Sequence, residues 1–351
     1  MTIFFEYPDD ITGKVLDTYL QSGWFRMRQA IFTCRYLIKE GELNTAVWLR
    51  LPVHKRRFSK SLRKIMNRNN RMFEVTCSPL QITPEKEELY VRYQEVVRER
   101  LAACLFEDLY DSDRDVYQSW AFEIRHNGKL VAFSVFDIGE RSMESVTGVY
   151  DPDFAKHSLG IYTMLLEVER SVQMGLEYYY IGYFGTNTRV FDYKLRLGKG
   201  LEFLDPLSQQ WLPMEVYQQD NMPCAKLLSA YRVINQRLLS KGIPSQLNLH
   251  PAYRFALLNK GLLFPRLKSP LFVIVCPNNK TTYKLVIDYE LESQEYRLLL
   301  GKHLRLLNVD PSLLVQSAEG PRVCKGLMAI EQEFVRASDP DEVVALLEVE
   351  S

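Results

Sequence analysis

Long hydrophobic runs are missing from this 351-residue chain, and no apolar stretch exceeds that of Leu271 to Cys276. A bilayer-spanning helix needs ~18 such residues. The first ten residues carry Glu6, Asp9 and Asp10, where a secretory signal would place a basic stretch and then an apolar one. The expectation is a soluble, cytoplasmic protein with no membrane partner. Cysteine is sparse and dispersed: Cys34, Cys77, Cys104, Cys224, Cys276 and Cys324 never approach within five residues of each other. That spacing speaks against a zinc site, a redox pair or a disulfide framework, and most of these thiols read as small buried hydrophobes. None of the five histidines (His54, His126, His157, His250, His303) has a partner at i+3 or i+4. The chain has no Gly-x-Ser-x-Gly elbow, no Walker loop and no glycine fingerprint for dinucleotides. Net charge is also absent, since 44 Lys and Arg balance 44 Asp and Glu. Any polyanionic partner has to be sought in local charge.

What is present is the profile of a folded globular chain, 46% hydrophobic and 25% charged, with length for about two domains. Asn44–Val53 alternates Val47, Leu49, Leu51 and Val53 against Trp48 and Arg50, which predicts a strand. Between Lys55 and Arg71 stand eight cations and no acid: Lys55, Arg56, Arg57, Lys60, Arg63, Lys64, Arg68 and Arg71. Phe58, Leu62, Ile65 and Met66 fall at helical spacing inside it, so one face packs and the other carries a cationic stripe. A strand over 72–76 follows. Pro84 then opens a helix to about Ala102, with Glu85, Glu87 and Glu88 in its first turn. Strands over 121–125 and 130–136 flank Asn127-Gly128, a hairpin signal. A third strand covers 142–150, a helix 158–174, and an aromatic strand 176–183. Beyond residue 215 the pattern resets to a helix (224–240), strands (271–276, 283–289), a helix (293–307) and an acidic end. The class is mixed α/β. The divisions are 1–75 with the basic helix, 76–214, and a smaller C-terminal α/β domain over 215–351.

Three local features are candidates for chemistry. Tyr150-Asp151-Pro152-Asp153 leads into Ser158-Leu159-Gly160-Ile161-Tyr162 at a helix start, where backbone amides and the dipole suit an anion or oxyanion, or simply cap a helix. Tyr178-Tyr179-Tyr180-Ile181-Gly182-Tyr183 is an aromatic strand in which Tyr179 and Tyr183 point one way and Tyr178 and Tyr180 the other. Gly182 there marks close approach by another group. Tyr193-Lys194-Leu195-Arg196 places a cation pair beside a tyrosine, which also suits a solvated edge.

These features stand in a succession with Gly23-Trp24-Phe25-Arg26, the run Phe58 to Lys64, Asn67-Arg68-Asn69, Glu202 and Trp211. Over roughly residues 10–212 the order resembles the arginyl-tRNA–protein transferases and their bacterial leucyl-transferring relatives. The resemblance implies a GNAT-like mixed sheet flanked by helices. It also implies transfer of Arg or Leu from charged tRNA to the N-terminal α-amine of an acceptor protein. By resemblance the pocket forms where strands 143–151 and 176–183 splay, lined by Asp151, Tyr180 and Tyr183, with Tyr183 or Asp151 handling the amine. Ser158, Leu159 and Gly160 supply backbone amides, with Tyr150, Tyr162, Gly182 and Tyr193 around them. Lys194 and Arg196 meet an acidic first residue of the acceptor. Lys55, Arg56, Arg57, Lys60, Arg63, Lys64 and Arg68 hold the tRNA. The family's clustered N-terminal cysteines, which bind an iron–sulfur cluster or haem, are reduced here to Cys34, so no metal or cofactor is expected. The family's double arginine also becomes Phe25-Arg26-Met27-Arg28. Two other readings stay open: a GNAT acyltransferase using acyl-CoA, and a non-catalytic adaptor binding protein N-termini or RNA.

Overall fold

The computed structural model describes residues 3–39, 41–54, 58–97, 102–110, 114–250, 267–277, 281–305, 320–324 and 326–348. The chain opens with β1 (Ile3–Glu6), α1 (Gly13–Gln21), β2 (Phe25–Met27) and β3 (Ala30–Cys34). β1 and β2 flank β3 in a small antiparallel sheet. Next come β4 (Tyr36–Lys39), β5 (Glu42–Pro52), α2 (Lys60–Asn70), β6 (Glu74–Pro79), α3 (Pro84–Gln94) and α4 (Leu105–Leu109). They are followed by β7 (Ser119–His126), β8 (Lys129–Ile138), β9 (Ser142–Tyr150), α5 (Leu159–Gln173), β10 (Tyr178–Gly185), β11 (Glu202–Leu204) and β12 (Trp211–Pro213). The C-terminal part holds α6 (Pro223–Ser240), β13 (Ser245–Leu249), β14 (Leu271–Val275), β15 (Tyr283–Glu290) and β16 (Glu295–Arg305). It ends with β17 (Arg322–Val323), β18 (Gly326–Ala337) and α7 (Pro340–Glu348).

One large sheet runs β12-β11-β5-β10-β9-β8-β7-β6, with β4 also paired to β5. Every neighbouring pair in it is antiparallel except β9–β10. The alternation of β5 puts Val47, Leu49 and Leu51 into the core under α2 and α5, while Ala46 and Trp48 join α1 on the other face. Asn127 and Gly128 both take positive φ, 50° and 79°, as a tight hairpin turn between β7 and β8 requires. On α2, Ser59 accepts the Leu62 N–H and Leu62 and Met66 turn inward. Lys60, Arg63, Lys64 and Arg68 are exposed, so the two-faced reading of this helix is the observed one. The mixed α/β class is also the observed one, with helices flanking the sheet.

Several expectations need correction. β5 hydrogen-bonds to β10 and β11 inside the large sheet, so that sheet draws strands from both 1–75 and 76–214. The helix expected over 84–102 closes at Gln94, just before the β-branched pair Val96-Val97. The helix expected over 293–307 is strand β16, paired on both sides by β15 and β18. Leu298 packs into one core and Leu299 into another across the same sheet, and a strand buried on both faces loses the period-2 signature. Over 215–351 a six-stranded sheet, β17-β13-β14-β15-β16-β18, carries α6 and α7 on one face. Leu227, Tyr231, Ile234 and Leu238 form the buried stripe of α6. Cys224 donates its N–H to Thr45 Oγ1 at 2.9 Å and its thiol to Leu43 O at 3.1 Å, seating α6 on β5.

Candidate active site

β9 and β10 pair only through Ser142–Glu144 against Tyr178–Tyr180. Beyond this point β9 follows β8 to Tyr150, while β10 follows β5 to Gly185. Two parallel neighbours thus diverge, and the gap between them is a cleft of about 1040 Å³. One wall is β9 from Ser145 to Gly148 with the start of α5; the other is β10 with the segment 187–196. Ser158 sits at the α5 start in the left-handed conformation, φ 56°, and makes no side-chain cap. The N–H groups of the first helical turn have no acceptor within the helix, and here they lie at the cleft wall.

The β10 ladder to β5 slips between Tyr180 and Gly182. This bulge inserts one residue and reverses the alternation after it. Tyr179, Ile181 and Phe184 therefore face the α5 side, while Tyr178, Tyr180 and Tyr183 share the other. Tyr183 was expected to point with Tyr179, and the bulge is the reason it does not. Gly182 has φ +83°, and an added Cβ would stand 3.0 Å from Lys194 Nζ. That ammonium donates to Tyr183 O at 3.0 Å and lies 5.0 Å from the Phe191 ring centre. Gly182→Val should cost about 1–3 kcal/mol of backbone strain and displace Lys194. A lowered urea unfolding midpoint reads this cost, and an unchanged midpoint would contradict the close approach of Lys194 to Gly182.

Two acids at the vertex were not singled out from the sequence. Glu144 follows Met143 on β9, and its Oε1 accepts the Arg26 backbone N–H at 2.7 Å. Its Oε2 has no hydrogen-bond partner among the described residues. Burial, aided by the charge of Asp137, pushes the Glu144 carboxyl up to about 8, against the Arg26 N–H and guanidinium. Glu167 comes from α5 on the opposite face, where it accepts the Tyr179 hydroxyl at 2.7 Å. Burial pushes it up to about 7, with the hydroxyls of Ser134, Tyr179 and Ser145 working the other way. Both line the cleft. The available signal was a lone charge inside a helix otherwise uncharged from Ile161 to Val168. Arg26 also lines the cleft, pairing with Asp137 at 3.0 Å where both side chains are 1% exposed.

The residues named from the sequence divide into three groups. Tyr150, Ser158, Leu159, Gly160, Gly182, Tyr183, Tyr193, Lys194 and Arg196 line the cleft. Asp151 does not. It is buried and held by Arg92 at 2.8 and 2.9 Å, by Lys129 at 2.9 Å and by the Asp153 N–H at 3.1 Å. Burial would raise its pKa, but Lys129, the Asp153 N–H and Arg92 hold it below the usual carboxylate value. A carboxylate engaged in this way caps the turn before α5 and is no base for an amine. Tyr180 and Tyr162 are also inside the core: Tyr180 reaches Gln21 Oε1 at 3.3 Å and Tyr162 donates to Asn70 Oδ1 at 2.6 Å. Lys55, Arg56 and Arg57 lie outside the described residues. The rest of the basic helix adjoins the cleft entrance, since Arg68 and Asn69 both donate to His157 O, at 2.6 and 3.0 Å. Among the described residues no group of three or more His, Cys, Asp or Glu is placed to hold a metal ion, and no helix is long and apolar enough to cross a membrane.

Residues 85–202 match the family described as arginine-tRNA-protein transferase, C terminus. That span contains β9, α5 and β10, and with them both vertex acids. An aspartate/glutamate leucyltransferase of Leptospira interrogans serogroup Icterohaemorrhagiae serovar copenhageni is 26% identical over 230 residues, covering 62% of this chain and 85% of its own length. Over residues 85–202 the chain is similar to the arginine-tRNA-protein transferases. Aspartate/glutamate leucyltransferase of Campylobacter jejuni subsp. jejuni serotype O:23/36 is 26% identical over 198 residues, covering 55% of this chain and 81% of the other. The protein of the same description from Stutzerimonas stutzeri is 28% identical over 178 residues, covering 47% and 70%. Among solved structures, FemX superposes with a TM-score of 0.36 at 11% identity, covering 57% of this chain and 69% of that one.

Proposed function

We propose that this protein transfers an amino acid, Leu or Arg, from charged tRNA to the N-terminal α-amine of an acceptor protein in the cytoplasm, as an N-degron-type modification. One observation supports the reading above others: within the segment that matches the transferase family, two parallel strands diverge around a cleft floored by two buried acids. The aminoacyl ester is already activated. The protein therefore has to align amine and carbonyl, remove a proton from the amine and stabilise the developing oxyanion. An α-amine has a pKa of about 7.7–8.0. Glu144 at about 8 and Glu167 at about 7 are matched to it, so proton transfer at the vertex is close to thermoneutral. The amine nitrogen bonds to the carbonyl carbon, the bond to the ribose oxygen breaks, and that oxygen takes up a proton. The free N–H groups at Leu159 and Gly160 are suited to the oxyanion or a phosphate. Tyr150, Tyr183 and Tyr193 frame the substrates, and Lys194 and Arg196 are the cations for an acidic first residue.

For the RNA we assign the exposed face of α2. Lys60, Arg63 and Lys64 leave the packed side of the helix free, and the C-terminal end of α2 touches the loop entering α5. Replacing these three residues by Ala should lower the slope of log K against log salt by about 2–3. It should also weaken tRNA binding at moderate salt by at least about tenfold. Arg68 is left in place because it also ties α2 to His157. An unchanged slope in a filter-binding series would move the RNA elsewhere.

The whole reading is tested with tRNAs charged with labelled Leu, Arg or a control amino acid and peptides that differ only in their first residue. Label should pass to peptides with a free amine, and an acidic first residue should be favoured. Stabilisation by acetyl-CoA with no label transfer would instead support acyl-CoA chemistry.

A further inference from the structure

We propose that Glu144 is the receptor for the α-ammonium of the acceptor: its unpartnered Oε2, buried at the vertex of the cleft, receives the amine as the peptide enters between β9 and β10. This rests on the transferase reading and adds the group that recognises the acceptor's chain end.

The geometry supports it in three ways. First, the carboxylate is held by one oxygen only. Oε1 is fixed by the Arg26 N–H at 2.7 Å, Oε2 is buried without a partner among the described residues, and Glu144 is a cleft-lining residue. A buried acceptor left unmatched costs about 1–3 kcal/mol, and an N–H donor from a ligand relieves that cost. Second, the neighbouring acid Asp137 is already engaged. Asp137 receives the Arg26 guanidinium at 3.0 and 3.1 Å and the Ser119 hydroxyl at 2.6 Å. Of this neighbouring pair, Glu144 is the one that keeps an oxygen without a hydrogen-bond partner among the described residues for an arriving amine. Third, the wall on this face is aromatic. Phe25 stacks on Trp48 at 4.0 Å, and Trp48 meets Tyr183 edge-on at 4.8 Å. All three rings line the cleft, and ring faces attract a desolvated cation.

β9 and β10 are hydrogen-bonded up to Glu144 and Tyr180, so the gap between them narrows to the vertex, while their diverging edges offer backbone groups to the extended residues behind. In its ionised form Glu144 takes one proton from the ammonium. The neutral amine then forms the C–N bond as the C–O bond to the ribose breaks. The second amine proton ends on the ribose oxygen, and Glu144 later returns its proton to water. The charged and titratable groups facing Glu144 are Asp137 from β8, Arg26 from β2 and Tyr117 from the segment before β7. Burial with the Asp137 charge keeps its carboxyl near the pKa of the amine it serves.

The test is binding to the full chain, without transfer. The ligands are a short acidic peptide with a free N-terminus, its N-acetylated twin, and a 3′-aminoacylamino-adenosine that carries the donor's own α-ammonium on a non-hydrolysable link. Wild type should bind the free peptide about tenfold or more tightly than the acetylated one. Glu144→Gln should erase that preference and leave the adenosine analogue unchanged. Glu144→Asp, which keeps the charge but withdraws it, should retain part of the preference. A preference that persists in Glu144→Gln overturns the proposal. So does a tenfold loss for the adenosine analogue alone, which would assign Glu144 to the donor. Binding that follows these expectations with no label transfer would overturn the transferase reading and leave the ammonium site standing.

Discussion

The double variant Glu144→Gln, Glu167→Gln is expected to be more stable than wild type at pH 9, by about 4 kcal/mol, and no more stable at pH 4. Both carboxyls are raised in the folded protein, from 4.5 to about 7 at Glu167 and from 4.5 to about 8 at Glu144. A raised acid favours the folded state fully only below its unfolded pKa, where both states hold the proton. As pH climbs above 4.5 the unfolded chain ionises while the folded one does not, and stability falls until the folded pKa is passed. At about 1.4 kcal/mol per pH unit, the two positions together set a ceiling of several kcal/mol, which local relaxation and the added amide N–H groups reduce. The window runs from pH 4.5 to about 8. Urea unfolding midpoints at pH 4, 6, 7.5 and 9 read it directly, and a gain that does not grow with pH contradicts the burial described for these acids. Carboxyls that cost stability at the pH of use belong at a working site, where function outweighs stability.

Asp137→Ala is the second large effect, a destabilisation of about 3–5 kcal/mol. Arg26 and Asp137 are each 1% exposed at the side chain and pair at 3.0 Å. The guanidinium also donates to Leu109 O at 3.0 Å and to Arg28 O at 2.8 Å. Removing the carboxylate leaves a buried cation with neutral acceptors only. Replacing both residues together, Arg26→Met with Asp137→Leu, should recover much of the loss, because two desolvated charges disappear at once. The same change removes one of the causes that raise Glu144, so the titration of Glu144 should move down in Asp137→Ala. A loss below about 1 kcal/mol, or an unmoved Glu144, would mean the network is not organised as described.

The parts legible from the sequence are those set by short-range rules. Asn127-Gly128 fixed a hairpin, the spacing of Leu62 and Met66 fixed the two faces of α2, and Ser142–Tyr150 was found with its observed limits. The strand β16 was missed because Leu298 and Leu299 enter two different cores, a tertiary circumstance that no local period records. Asp151 looked available because its partners Arg92 and Lys129 are 59 and 22 residues away. The bulge at Ile181-Gly182 turned Tyr183 to the other face. Glu144 and Glu167 became visible only once β9 and α5 were placed together. Their meaning lies in burial, and burial is a property of the assembled sheet.

The central claim is that the gap between β9 and β10 joins an ester-borne amino acid to a free peptide amine. The most direct measurement is the mass of such a peptide after incubation with the protein and leucyl- or arginyl-tRNA. The account predicts a gain of one aminoacyl residue at the N-terminus, abolished by N-acetylation and strongly reduced in Gly182→Val. No gain with either donor, or an equal gain on the acetylated peptide, would contradict it.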